Sequence, residues 1–262
     1  MGTFVEVGCT PGPSERQAMH DAFGAIEQVE RDLSFHNPDS ELSRLNRCDG
    51  KFLSLSPLTL RMLRLARAMT VASEGMFNCT VGGLLVRRGV LPDHGGGEPL
   101  DSGTAADIEM KGSRARLVRP VRVTLDGIAK GYAVDLAVRA LRRADVPAGW
   151  VNAGGDLRVF GPLTLPVHRR EADGTVKLLG GLRDAAIASS RVHDGSDDRF
   201  PGVIVNPRGD QPATGVSSVL ARQAWRADAL TKVAAVASHR SRHMLLNRLG
   251  GRLVEPELEA IP

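Results

Sequence analysis

Aromatic side chains are scarce, with one Tyr, two Trp and seven Phe in 262 residues. A protein that reads nucleic acid usually stacks bases on aromatics inside a dense basic stripe. Here the 34 Lys+Arg, of which only five are Lys (51, 111, 130, 177 and 232), are spread along the chain with 30 Asp+Glu between them. Nucleic acid is therefore excluded as a partner, and the formal charge of +4 suits a phosphate-bearing small molecule instead. Cysteine is equally sparse. Cys9, Cys48 and Cys79 stand far apart with no CxxC pair, so they read as small buried hydrophobes and demand no oxidising compartment. No run of about 18 apolar residues exists, which excludes a membrane-spanning helix. The opening Met1-Gly2-Thr3-Phe4-Val5-Glu6-Val7 goes straight into a strand-like pattern without a signal peptide, so the expected location is cytoplasmic.

What is present is enough for a real core: 42% hydrophobic and 24% charged residues, close to ordinary soluble usage. Four helices announce themselves. Ser14 to Gln17 reads as a capping box, followed by Ala18, Ala22, Ile26, Val29 and Leu33 at steps of three and four. Ser56 with Pro57 opens a second helix, with Leu58, Met62, Leu65, Met69 and Ala72 on one face and Gly75 as its stop. A third runs from about Gly131 to Ala144, turning Val134, Val138 and Leu141 inward, and a fourth starts near Ala224 with Ala227, Leu230, Ala234 and Ala237. Short β-rich runs lie between Gly, Pro and Asp: Val118–Leu125, Gly149–Asn152, Leu157–Phe160, Leu178–Leu182, Val203–Val205 and Ser217–Leu220. Strands that cluster in the second half, with helices inserted, predict an α+β fold rather than a doubly wound sheet. A surface loop is expected near residues 92–103, and the chain is expected to form one domain over 1–262.

Several familiar chemistries fail on inspection. His94-Gly95-Gly96-Gly97 looks like an oxyanion loop, but no GxSxG nucleophile accompanies it, so it reads as a flexible loop. Walker A and GxGxxG patterns are missing, and the seven His form neither HExxH nor another paired metal spacing.

Three segments carry more: Phe35 to Asn46, containing DSELSRLN; Leu125 to Asp135, containing GIAKGYAVD; and Asn152-Ala153-Gly154-Gly155-Asp156. A strand–Gly–helix junction exposes backbone N–H groups and the positive end of a helix dipole, which favours a phosphate. Lys130 at that junction can add a point charge.

Taken in order with Met-Gly-Thr at the start, Phe77-Asn78-Cys79-Thr80-Val81-Gly82, Asn206-Pro207-Arg208 and Ala227-Asp228-Ala229-Leu230-Thr231, these segments resemble the ApbE-type flavin transferases over nearly the whole chain. The resemblance implies an ApbE-like, T-fold-related α+β architecture, with an antiparallel sheet, packed helices and a FAD cleft between lobes. It implies that FAD is the substrate and that Mg²⁺ neutralises its pyrophosphate. The FMN moiety would pass to a Ser or Thr hydroxyl in a short motif of an acceptor flavoprotein domain, with release of AMP. Carried over by motif, the Gly127 carbonyl, Asp228 and Thr231 would hold the metal, with Asp228, Thr231 and Lys130 serving catalysis. Met1, His36, Phe77, Asn78, Cys79, Thr124 and Lys130 would meet FAD. Asp228 and Thr231 are one helical turn apart, and hard oxygen donors of this kind suit Mg²⁺. Many members of that family are exported, so a missed upstream signal segment would make the expected location periplasmic.

Five positions depart from the family pattern. Asn78 and Asn206 stand where Asp is usual, Thr124 where Asp is frequent, Val203 where many members carry His, and Lys232 where Thr is common. Each Asp-to-Asn change removes a charge that could bind metal or take a proton. Lys232 would repel a neighbouring Mg²⁺, or could itself meet a phosphate. Two alternatives to the transferase follow: a FAD-binding protein with little or no transfer activity, and a pyrophosphatase that splits FAD into FMN and AMP with water as acceptor.

Overall fold

The computed structural model describes residues 3–171, 173–192, 204–206 and 215–254. In chain order its elements are β1 (Val5–Cys9), α1 (Glu15–Leu33), α2 (Glu41–Asn46), β2 (Leu53–Ser54), α3 (Pro57–Ala72), α4 (Gly82–Arg87), β3 (Ile108–Lys111), β4 (Arg114–Leu117), α5 (Ala129–Arg143), β5 (Gly149–Ala153), β6 (Asp156–Phe160), β7 (Thr164–Arg170), β8 (Val176–Arg183), β9 (Ala186–Val192), β10 (Gly215–Ala221), α6 (Ala224–Val236), α7 (His239–Arg248) and β11 (Gly251–Val254). A six-stranded sheet runs β1-β5-β6-β9-β10-β11, every neighbouring pair antiparallel. Helices α5 and α6 lie against it, and α1 packs on α5. A three-stranded sheet β2-β4-β3 and the hairpin β7-β8 stand apart from the main ladder. The architecture is α+β, as the clustering of strands predicts.

The four expected helices form, and α1, α5 and α6 turn the expected residues inward. In α3 Met62 and Met69 are buried, but Leu58 and Leu65 are half-buried and Ala72 is exposed, because the face it buries runs through Thr59, Leu60, Leu63, Ala66 and Thr70 as well. Ser56 caps α3, accepting from the Thr59 amide, with Pro57 as its first residue. Beyond its other end, the Gly75 amide reaches back to the Thr70 carbonyl with φ +81°, while Glu74 takes a left-handed conformation of its own. The capping box does not form at Ser14, whose side chain makes no cap bond. Gln17 instead donates to Asp21 one turn on.

Val118–Leu125 is not a strand. The segment bends at residues 118–120, where the Val121 amide turns back to the Arg119 carbonyl, and its only bridge among the described residues joins Arg122 to Val81. Asn46 takes the place of a neighbouring strand, donating to the Val123 carbonyl at 2.8 Å and accepting from its amide at 2.7 Å. The Thr124 amide bonds to the Cys79 carbonyl. A buried side chain thus satisfies backbone groups that would otherwise need a ladder. Ile204 and Val205 lie outside any strand, and Val203 falls outside the described residues.

Residues 92–103 are a loop, but one held in place. His94 stacks on Phe35 and its Nε2 lies 2.8 Å from the Phe35 carbonyl oxygen. Gly95, Gly96 and Gly97 all take positive φ, which turns three successive carbonyls onto Nη2 of the buried Arg122 at 2.8–3.0 Å. Only glycine adopts three such conformations in a row without strain.

Candidate active site

The site is built on the contact between α5 and α6. Gly131 lets the helices meet: a Cβ there would sit 2.3 Å from the Ala224 carbonyl oxygen. Gln223, before α6, gives no side-chain cap, and Asp135 of α5 supplies it instead. Its two carboxylate oxygens accept from the Ala224 and Trp225 amides at 3.1 and 3.0 Å, and it also pairs with Arg158 of β6. Residues 131 and 135 share one face of a helix, so this spacing in GIAKGYAVD fixes where α6 begins. That start in turn places Asp228 under the Gly131 amide, which donates to Oδ2 at 3.1 Å.

NAGGD supplies the opposite wall. Gly154 and Gly155, both at positive φ, make the two-residue turn between β5 and β6, and the Asn152 side chain accepts from the Gly155 amide. The turn leaves Asp156 as the first residue of β6, buried and 2.7 Å from Lys130 Nζ. Burial and the nearby Asp228 charge push the Asp156 carboxyl up to about 7. Lys130 loses by burial but is raised overall by Asp156 and Asp228. Burial likewise opposes the charge on Asp228, yet Lys232, Lys130 and the Gly131 amide hold its carboxyl below the usual range.

A cleft of about 410 Å³ opens beside this cluster. His36, Phe77, Asn78, Cys79, Thr124, Gly127 and Lys130, all expected at the site, line it, and Lys232 joins them. Met1 lies outside the described residues. Asp228 and Thr231 are fully buried behind the wall, not on it. Asp126, inside the Leu125–Asp135 segment but not singled out there, also lines the cleft, as do Ser190 and Arg191, which no motif marks. Ser190 and Arg191 arrive through the pairing of β9 with β6 and β10, which only the folded sheet reveals.

Several of the expected contacts are structural. The Asn78 amide nitrogen donates to the Gly103 carbonyl at 3.0 Å, while its oxygen accepts from the Thr80 amide and hydroxyl. An Asp could not make the first of these bonds, so Asn at this position is fitted to the turn. The Thr124 hydroxyl is spent on Asp126. Burial pushes the Cys79 thiol up to about 11, which keeps it neutral beside Thr70.

Asp228 and Thr231, two of the three donors expected for Mg²⁺, do not fit the ion in this arrangement. Lys232 Nζ lies 2.5 Å from Asp228 Oδ1 and 3.2 Å from Ser190 Oγ. The Thr231 hydroxyl donates to the Asp228 carbonyl at 2.7 Å and stands 2.7 Å from Ser190 Oγ. Both Asp228 oxygens are therefore taken, one by an ammonium and one by an amide. A Mg²⁺ at its usual distance of about 2.1 Å from Oδ1 would meet that ammonium directly. Two unit charges about 4 Å apart interact by about 4 kcal/mol at an effective dielectric of about 20, and a divalent ion doubles the repulsion.

The family model described as "ApbE family" matches residues 1–254. A FAD:protein FMN transferase of Rhodobacter capsulatus is 28% identical over 281 aligned positions, covering 97% of this chain and 53% of that protein. Another, from Klebsiella pneumoniae (strain 342), is 27% identical over 179 positions, covering 61% of this chain and 54% of its own. The chain thus spans about half the length of the curated relatives it matches. Among solved structures, the ApbE protein of Thermotoga maritima has a TM-score of 0.82 at 22% identity, covering 96% of this chain and 90% of that one. The flavin transferase ApbE of Vibrio cholerae has a TM-score of 0.79 at 21% identity, covering 98% and 94%. The structural likeness fixes the fold; the match along residues 1–254, across every motif that builds the α5–α6 contact and its cleft, shows that this chain belongs to the ApbE family.

Proposed function

We propose that this protein binds FAD in the cleft beside Lys130 and Lys232 and transfers its FMN moiety to a Ser or Thr hydroxyl of an acceptor protein, releasing AMP. The observation that carries the reading is the convergence of seven expected residues on one cleft with two ammonium groups at its wall. In the reaction the acceptor oxygen bonds to the FMN phosphorus and the P–O bond to the AMP phosphate breaks. AMP leaves with the bridging oxygen, and the hydroxyl proton passes to it or to solvent. Catalysis of this kind rests on positioning and on neutralising phosphate charge. Lys130 is held for that task by Asp156, and Lys232 by Asp228 and Ser190. Thr231 fixes Ser190, and Phe77 closes the apolar side of the cleft. Magnesium supplies pyrophosphate neutralisation where the family uses it, but Asp228 and Thr231 as arranged here do not accommodate it.

The Lys232–Asp228 ion pair also favours a second reading, a FAD holder with slow turnover. Incubation with FAD, with and without an acceptor domain, separates the readings. AMP together with an FMN-sized mass gain on the acceptor is the result expected of the transferase. AMP without modification of a competent acceptor would make it a pyrophosphatase, and FAD retained without AMP would make it a carrier.

A further inference from the structure

We infer that the Lys232 ammonium takes the place of a divalent cation, so that this chain engages the pyrophosphate of FAD without metal. The inference rests on the FAD reading above and specifies how its phosphates are met. Helix α6 itself delivers Lys232 to Asp228, one turn away. The side chain is not a loose surface lysine. Its stem lies along the Gly127 turn, where an added methyl group would sit 3.3 Å from Lys232 Cε and 3.3 Å from the Phe77 ring. Its head is shared between Asp228 and Ser190, and the Ser190–Thr231 contact extends that network to the helix backbone. An ammonium carries three donors; among the described residues, Asp228 and Ser190 take two. Lys232 and Lys130 both line the cleft, so two fixed cations face a ligand segment whose phosphates carry two negative charges. The oxygens that would recruit a metal are thereby converted into the clamp that orients a tethered cation.

The test separates this inference from the flavin reading by using metal alone and FAD alone. Mn²⁺ titrated into the ligand-free protein, followed by its paramagnetic resonance signal, is expected to show no saturable binding. FAD titrated by flavin fluorescence is expected to bind equally in EDTA and in millimolar Mg²⁺. In Lys232→Thr and in Lys232→Met, which preserves the stem, FAD affinity in EDTA should fall about tenfold or more, a loss of about 1.4 kcal/mol, and Mg²⁺ should restore it. Both variants should also acquire Mn²⁺ binding, whereas Lys232→Arg, keeping the charge, should stay independent of metal. Stoichiometric Mn²⁺ binding by the parent protein, or a tenfold loss of its FAD affinity on chelation, would overturn the inference. If the parent binds no FAD in either buffer, the flavin reading fails, while the Mn²⁺ titrations still decide whether Lys232 fills the metal position.

Discussion

Asn78 uses both ends of its amide, and that decides what a substitution there does. Asn78→Asp would set a carboxylate against the Gly103 carbonyl in place of a 3.0 Å hydrogen bond. Losing a donor and leaving an unmatched acceptor costs about 1–3 kcal/mol, so the denaturant midpoint should fall by that equivalent. An unchanged or higher midpoint would show that the position tolerates the charge. Asp107 makes a complementary case in pH. Arg119 grips its carboxylate at 2.5 and 2.6 Å, and the Thr104 amide adds a third bond, holding it below the usual carboxylate range. Since the folded pKa is the lower one, the stability this gives is complete above the unfolded value of about 4 and is lost as pH falls through the folded value. Unfolding titrations near neutral pH and near about pH 3 should therefore show a smaller acid loss in Asp107→Asn than in the parent. Equal losses would mean that other carboxylates dominate the acid limb.

At the scale of elements, periodicity made α1 and α3 legible, because each buries one face and exposes the other, and it marked α5 through Val134, Val138 and Leu141, although residues 131–135 are all buried. Helix α6 is different: Ala224, Trp225, Ala227, Asp228, Ala229, Leu230 and Thr231 are all buried. A single stripe understates a helix enclosed on every side, and polar residues in such a helix stand out only once that enclosure is known. Val118–Leu125 misled for the converse reason. Its β-like composition suits an extended chain, but what pairs with it is the Asn46 side chain, 77 positions away from Val123. The cap of α6 was also out of reach, since Asp135 lies 89 positions before the Ala224 amide it accepts from. That cap yields a prediction. Asp135→Ala leaves two N–H groups and Arg158 without their acceptor, and breaking a buried charged network costs about 3–5 kcal/mol. Asp135→Asn keeps one oxygen for an amide and should lose less. Equal destabilisation by the two would mean that the Arg158 pair, and not the cap, carries the effect.

Over the whole molecule the cleft draws on widely separated stretches: His36 and Phe77 from the first third, Gly127 and Lys130 from the middle, Ser190 and Lys232 from the last. Motif spacing could name most of these residues, and the one-turn step on α6 brings Lys232 to Asp228, but the approach of Asp156 to Lys130 comes only from the packing of the antiparallel sheet on α5. An occupant of the cleft therefore ties together segments that otherwise meet only through the core, and its binding energy adds to the stability of the fold as a unit. At about one hundred times its dissociation constant a ligand contributes about 2.7 kcal/mol. For a chain of this size each kcal/mol moves the midpoint by about 2–4 °C, so saturating FAD should raise Tm by about 5–10 °C. If the two ammonium groups meet phosphate as proposed, riboflavin, which has none, should give a far smaller shift at the same concentration. AMP and riboflavin added together should not reproduce the FAD shift, because neither presents the pyrophosphate proposed to span Lys130 and Lys232. A riboflavin shift as large as that of FAD would place the recognition on the isoalloxazine ring and remove the phosphate clamp from the account of this cleft.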